Sequence, residues 1–142
     1  WGQKFDEKLR TVHKRNIEKK VARCLTRCNT VKNGMVARSK KYGVECTITV
    51  DELRQLALDA YGTPCRYSKR ILTIDNMVFD HKIPISKGGA STQDNIQVIS
   101  KFANTMKGSL SEENFFILLA WLDTLDEELR KDISIRLAGG KR

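Results

Sequence analysis

The sequence predicts a mixed α+β fold, in which a hairpin, a loop and a short helix are set in a mainly helical frame behind a basic N-terminal helix. Residues 71–83 are rich in β-branched and aromatic side chains, which favours two short strands around a turn at Asp75-Asn76. Residues 84–98 contain a Gly-Gly pair and the polar run Ser-Thr-Gln-Asp-Asn, which is typical of a loop. On either side of this insert, apolar residues recur at helical spacing.

The first predicted helix covers residues 4–29, which contain neither proline nor glycine. Its apolar residues form a narrow stripe, and the rest of its surface is strongly basic. The stripe comprises Phe5, Leu9, Val12, Ile17, Val21, Leu25 and Cys28. We expect the pattern to break at Asn33-Gly34, because this dipeptide is typical of turns.

Two further helices are predicted from their capping boxes, in which a Ser or Thr precedes a Glu by three residues. One box pairs Thr49 with Glu52, and the other pairs Ser109 with Glu112. Between them, a short helix over residues 100–107 follows the loop and stops at a glycine. The hairpin and loop are therefore bounded by helices on both sides.

Charge is distributed unevenly along the chain of 142 residues, which has a net charge of +9. Residues 1–42 hold 13 Lys and Arg against 3 Asp and Glu, a charge of +10, whereas residues 43–142 hold 13 against 14, a charge of −1. We therefore expect a basic helical extension over residues 1–42, joined to a domain over residues 43–142. The extension is expected to bind the phosphates of a nucleic acid. From the charge distribution alone, the alternative is a solvated basic helix that binds no partner. The expected phosphate contacts in the extension are Lys14, Arg15, Lys19, Lys20, Arg23 and Arg27.

The four cysteines are predicted to be reduced thiols of a cytoplasmic protein, since they form no Cys-x2-Cys pair and no secreted disulfide pattern. They are Cys24, Cys28, Cys46 and Cys65. A zinc site built from all four is the alternative, although structural zinc prefers closely spaced pairs of ligands. The longest apolar run, residues 115–122, is only eight residues long, so no membrane partner is expected.

Three residues of the hairpin, loop and helix segment have the chemistry of a hydrolytic site. Asp80 and Asn104 offer a carboxylate and an amide oxygen, which suit Mg²⁺ together with water and phosphate oxygens. His81 is mostly neutral near pH 7 and can accept a proton from water. An isolated Asp-His dipeptide is common, however, and a histidine at a strand end is more often structural.

The whole segment resembles the HNH, or ββα-metal, endonuclease motif, over about residues 61–110 with the motif itself at about 65–108. The likeness is greatest to small HNH proteins of phages and prophages. The matching features are Asp80-His81, Ile83-Pro84, Ser86-x-Gly88-Gly89, Asp94-Asn95-Ile96-Gln97, and Asn104 followed by Lys107-Gly108.

The resemblance implies a divalent-metal-dependent endonuclease that hydrolyses DNA phosphodiester bonds, in the host cytoplasm if a phage encodes it. His81 matches the general base, and Asn95 matches the residue that holds the loop and orients the histidine. Asp80 matches the acidic ligand of one Mg²⁺ or Mn²⁺. Asn104 stands where many members have the last histidine of the motif, a metal ligand, which makes the chain an HNN variant. Within the motif, Lys87 and Lys107 are the expected DNA contacts.

The chain departs from many members of this family at the positions of a structural zinc. Those members have two Cys-x2-Cys pairs, where this sequence has Cys65 and Ser68, then Ser100 and Ala103. Because three of the four ligands are missing, no structural zinc is expected.

Two other functions remain open from the sequence. One is a non-catalytic DNA-binding module on the same scaffold. The other is a structure-selective nuclease, such as a junction resolvase, which would need a dimer. The apolar stripe of the N-terminal helix could pair with a second copy or pack on its own domain.

Overall fold

The computed structural model describes residues 2–139, and this range contains five α-helices and one two-stranded antiparallel sheet. The elements are α1 (Gly2–Tyr42), α2 (Val50–Ala60), β1 (Met77–His81), β2 (Ile96–Ser100), α3 (Lys101–Lys107), α4 (Glu112–Asp123) and α5 (Glu127–Leu137). The prediction of a mixed and mainly helical fold is confirmed. No helix in this range combines the length and the apolar character that crossing a lipid bilayer requires.

Helix α1 is longer than predicted and continues through Asn33-Gly34. Met35, next to this pair, is buried against residues of α2 and β2. This packing outweighs the cost of a glycine in a helix, about 1 kcal/mol relative to alanine. The helix ends at Tyr42, and Gly43 follows it with a left-handed φ of 66°, which glycine adopts easily.

The first predicted capping box is confirmed, and the second is wrong. The Thr49 Oγ1 accepts a hydrogen bond from the Glu52 backbone amide at 3.1 Å, and the Glu52 carboxylate accepts one from the Thr49 amide at 3.0 Å. Helix α4 is capped by Ser111 and not by Ser109. Ser109 lies inside the hydrogen-bonded turn that follows α3, so the next helix begins only after that turn is complete.

The hairpin pairs β1 with β2, with Met77 opposite Ser100 and His81 opposite Ile96. The prediction that residues 71–83 contain both strands is therefore wrong. Only the second half of that segment forms a strand, and its partner begins within the stretch predicted to be loop.

The reason is a turn held by one side chain. Asn76 accepts a hydrogen bond from the Thr73 amide at 2.8 Å and donates one to the Ile71 carbonyl at 3.0 Å. These bonds shape an irregular approach to β1 and leave Ile71 with only an isolated bridge to Pro64. A local propensity for strand does not reveal which distant segment completes the sheet.

Two apolar clusters hold the elements together. The larger lies between the hairpin, α3 and α4, and the smaller joins α1, α2 and β2. The buried members of the larger are Cys65, Tyr67, Leu72, Met77, Ile99, Ala103, Met106, Phe115 and Leu122. Those of the smaller are Cys28, Met35, Ile48, Leu53 and Ile96. The C-terminal half of α1 thus belongs to the core that supports the hairpin.

Candidate functional site

Asp80, His81 and Asn104 line a single cavity of about 320 Å³. The first two residues end strand β1, and Asn104 lies on α3, which directly follows β2. The remaining lining residues come from the end of α1, from β1, from the loop after β1 and from the end of α3. They are Arg38, Tyr42, Phe79, Pro84, Ile85, Ser86 and Gly108. The structure therefore brings together the three residues predicted to form a hydrolytic site.

The imidazole of His81 is held by a chain of two serines. His81 Nε2 and Ser91 Oγ are 2.8 Å apart, and Ser91 Oγ lies 3.1 Å from the Oγ of Ser39 on α1. In the neutral base, a proton on Nε2 is donated to Ser91, which leaves Nδ1 as the nitrogen that can accept a proton. Because a serine hydroxyl can donate or accept, the serine chain is compatible with the tautomer that a general base at Nδ1 requires.

The pKa of His81 is lowered from its ordinary value. Burial is the largest cause, because it disfavours the charged imidazolium, and the positive charges of Arg38 and Lys107 act in the same direction. The neighbouring Asp80 carboxylate opposes them by favouring the charged form. Near pH 7 the histidine is therefore neutral and able to accept a proton.

The Asp80 carboxylate is fixed by two donors. Its Oδ2 lies 3.0 Å from the Nζ of Lys107 and accepts a hydrogen bond from Gln97 Nε2 at 3.1 Å. Gln97 also donates to the hydroxyl of Tyr67 at 2.7 Å, and that hydroxyl lies 3.1 Å from the Glu112 carboxylate. The result is a connected network that orients one carboxylate oxygen of Asp80 and leaves the other available.

Burial raises the pKa of Tyr67 to about 12, and the negative charges of Glu112 and Asp80 add to this effect. The phenol therefore stays protonated at any physiological pH. It can donate to Glu112 while accepting from Gln97.

Lys107, which was expected to contact a DNA phosphate, is not accessible to one in this structure. Its side chain is fully buried and bonds to Asp80 and, at 3.0 Å, to the His81 carbonyl oxygen. A buried ammonium needs such partners, because leaving it unpaired is very costly. Lys107 therefore has a structural role, supporting β1 from beneath the cavity.

Asn95 ties the ends of the loop together, as the resemblance implied. Its Oδ1 accepts from the Ile83 amide at 2.9 Å, and its Nδ2 donates to the carbonyls of Ile83 and Ala90 at 3.1 and 2.8 Å. Gly89 packs so closely that a Cβ there would overlap the Ile83 carbonyl. These contacts fix the backbone on either side of Ser91, the partner of His81.

The predicted basic contacts of α1 fall into two groups. Lys14, Arg15 and Lys19 project from the exposed N-terminal half. Lys20, Arg23 and Arg27 instead line a groove between α1 and the turn before β1. There Lys20 forms an ion pair of 3.0 Å with Asp75. Lys87 is exposed in a 3₁₀ turn close to the cavity.

The four positions that the resemblance aligns with zinc ligands also come together, but through hydrogen bonds. The hydroxyls of Ser68 and Ser100 are 2.9 Å apart, and the Ser100 amide donates to Cys65 Sγ at 3.4 Å. The Ser100 hydroxyl in turn accepts from the Ala103 amide at 3.1 Å. These bonds connect the segment before β1 to the start of α3.

Asp80 and Asn104 fit a divalent ion that keeps most of its water. They offer one carboxylate oxygen and one amide oxygen on the same cavity, a donor set that suits Mg²⁺ or Mn²⁺. Within residues 2–139, no three His, Cys, Asp or Glu side chains form a cluster able to hold a metal. Binding would therefore depend on water and substrate oxygens as well as on these two residues.

Sequence reasoning missed several residues of the site. Arg38 and Ser39 lie on α1 beyond the expected break of the helix, so nothing placed them near His81. Ser91 belongs to a polar run that by itself predicts only a loop. Gln97 was part of the matching motif, but only its pairing opposite Asp80 shows its role.

No family model, curated protein or solved structure shows a significant match to this chain. Its function must therefore be inferred from the cavity and from the residues around it.

Proposed function

We propose that this chain is a divalent-metal-dependent endonuclease that hydrolyses DNA phosphodiester bonds. The observation that carries the proposal is the convergence of Asp80, His81 and Asn104 on one cavity. The order of strand, strand and helix that presents them supports the resemblance to the ββα-metal motif. So does the position of Asn95, which anchors the loop between the two strands.

His81 acts as the general base in this proposal. Its Nδ1 takes a proton from the attacking water, while Ser91 holds Nε2. Asp80 and Asn104 hold the Mg²⁺ or Mn²⁺, which when bound supplies stabilisation of the negative charge on the phosphate. Arg38 lines the same cavity and can donate to a phosphate oxygen of the substrate.

The exposed positive charge of α1 supports DNA as the substrate. The side chains described between residues 3 and 20 are all exposed, and they include Lys14, Arg15 and Lys19. Such a surface binds phosphates with little sequence preference, because backbone contacts do not distinguish bases. Lys87 adds a further exposed cation beside the cavity.

Incubation of supercoiled plasmid with the purified chain and Mg²⁺ or Mn²⁺ tests the proposal. We expect nicked or linear products that form only with the metal and not in EDTA. Supercoiled plasmid and single-stranded circular DNA that both stay intact over a range of metal and protein concentrations would contradict the proposal.

A non-catalytic DNA-binding module is the second candidate, and the Lys107–Asp80 ion pair favours it. This contact of 3.0 Å neutralises the carboxylate that a metal would need. Calorimetric titration with Mn²⁺ separates the two candidates. A nuclease should bind Mn²⁺, and more weakly after Asn104→Ala, whereas a non-catalytic module should show DNA binding without any metal site.

Dimer formation through α1 stays a prediction, and a structure-selective nuclease would require it. Leu9 and Val12 of the apolar stripe are 52% and 47% exposed, so they are accessible to a second copy. Sedimentation velocity at increasing protein concentration would measure the assembly directly.

A further inference from the structure

A second cavity, of about 410 Å³, lies between α1 and the hairpin and adjoins the candidate site. It shares Arg38 and Phe79 with the cavity of His81. At its other end it shares Cys24, Arg27 and Ile74 with the groove near Asp75. Because neighbouring spaces share these lining residues, we describe the three together as the α1 groove, from Lys101 to His81.

The α1 side of the α1 groove carries a row of cations. Lys20, Arg27 and Arg38 are seven and eleven residues apart, which is close to two and three helical turns and places them on one face of α1. The row extends for about 27 Å at about 1.5 Å per residue. Lys20 is paired with Asp75, whereas among the described residues Arg27 and Arg38 take part in no ion pair. These two arginines can therefore bind phosphates.

The opposite side of the groove is apolar. The hairpin contributes Met77, Val78, Phe79 and Val98, and the turn before it contributes Ile74. A ligand with phosphates on one side and flat apolar groups on the other suits this lining. A single polynucleotide strand has that character, whereas the bases of a duplex are stacked inside and present mainly charge to a groove.

Gly34 lies in this groove in the middle of α1. A Cβ at this position would have no neighbour within 4 Å, so packing does not require a glycine here. Glycine nevertheless costs a helix interior about 1 kcal/mol relative to alanine. Its effect on the molecule is to leave the groove open midway between Arg27 and Arg38.

We infer that the α1 groove binds an unpaired single strand of DNA adjacent to the phosphodiester in the His81 cavity. This inference rests on the proposed nuclease function and specifies its substrate as DNA with a single-stranded segment. Arg27 and Arg38 bind the backbone, and the apolar side contacts the bases, with Phe79 providing an aromatic surface for stacking.

Fluorescence anisotropy in EDTA tests the inference, using a labelled single-stranded oligonucleotide and the blunt duplex of the same sequence. Gly34→Leu fills the groove without changing charge, and Arg27→Ala removes one cation that binds a phosphate. We expect each to weaken single-strand binding by tenfold or more and duplex binding by less than threefold. The controls are Gly34→Ala, which barely fills the groove, and Lys131→Ala, which removes an exposed cation on α5 that does not line the groove. Both should stay within twofold of the parent.

Parental single-strand affinity in both Gly34→Leu and Arg27→Ala would overturn the inference. An equal loss of affinity in Lys131→Ala and Arg27→Ala would also overturn it, because only the total charge would then matter. The measurement requires no cleavage, so it remains decisive for the groove even if the chain proves not to be a nuclease. Conversely, if the chain cleaves DNA but its α1 groove binds no single strand, the inference fails and the nuclease proposal stands.

Discussion

The two halves of α1 share a sequence pattern but differ in environment. Between residues 3 and 20, every described side chain is exposed, including Leu9, Val12 and Ile17 of the apolar stripe. In the second half, Cys28, Met35 and Ser39 are buried. A stripe of apolar residues therefore predicts a helix, but it does not predict whether the helix has a partner to pack against.

The difference extends to function. The second half contributes Arg38 to the candidate cavity and Ser39 to the serine chain that ends at His81. The first half contributes exposed charge. Under the proposed function, we therefore expect the first half to bind DNA as an arm, whereas the second half is part of the fold and lines the candidate cavity.

The largest difference between the halves is expected in stability. Met35→Ala should lower the free energy of unfolding by about 2–5 kcal/mol, because it leaves a cavity in the smaller apolar cluster. Leu9→Ala, on the exposed stripe, should change it by less than about 0.5 kcal/mol. Chemical denaturation of both variants measures the contrast, and equal losses of stability would show that the first half is packed in solution, for example in a dimer.

Deletion of residues 1–16 should affect DNA binding without affecting the fold. We expect the slope of log affinity against log salt to fall by about 0.9 for each phosphate that the shortened chain no longer neutralises. The melting temperature should not change, since the described side chains of this segment are exposed. An unchanged salt slope would show that residues 1–16 do not contact the DNA backbone.

Gly34→Ala should stabilise the packed half. The added methyl group meets no atom within 4 Å, and the helix gains about 1 kcal/mol from the change of residue. Thermal unfolding compared with the parent measures the gain. A destabilised variant would mean that the groove at Gly34 is too narrow in solution to admit a methyl group.

The smallest expected effect is on the pH dependence of cleavage. The parent should lose activity as pH falls through the pKa of His81, which lies below the ordinary value of 6.5. Arg38→Ala removes a cation that disfavours the imidazolium, so the pKa should rise and the acid limb of kcat/KM should move to higher pH. Arg15→Ala, in the exposed half, should leave the limb in place. If the midpoint of the acid limb is unchanged or lower in Arg38→Ala, then Arg38 does not lower the pKa of His81.

Short-range chemistry accounts for what could be predicted from the sequence. The Thr49–Glu52 box and the end of α3 at Gly108 depend on neighbouring residues, and both are found. Asp80 and Asn104 could be predicted to share a site because both belong to one compact unit of hairpin and helix.

The features that were not predicted depend on residues far apart in the chain. Ser39 meets Ser91 across 52 positions, and Lys107 meets Asp80 only because α3 packs beneath β1. Lysine at the end of a helix is usually exposed, so no local signal indicated its burial. The strand that pairs with β1 was predicted at the wrong place for the same reason. Strand pairing depends on contacts between segments that are distant in sequence, and local propensity does not reveal them.

Comparison of His81→Ala with His13→Ala in cleavage of supercoiled plasmid tests the central claim most directly. His13 is exposed in the first half of α1 and is the matched control. If His81 is the general base, His81→Ala should lose at least about a hundredfold in rate. Its affinity for Mn²⁺ and for DNA should be nearly parental, because the base acts in the transition state and not in ground-state binding. His13→Ala should cleave like the parent. Cleavage by His81→Ala at near-parental rate would contradict the account.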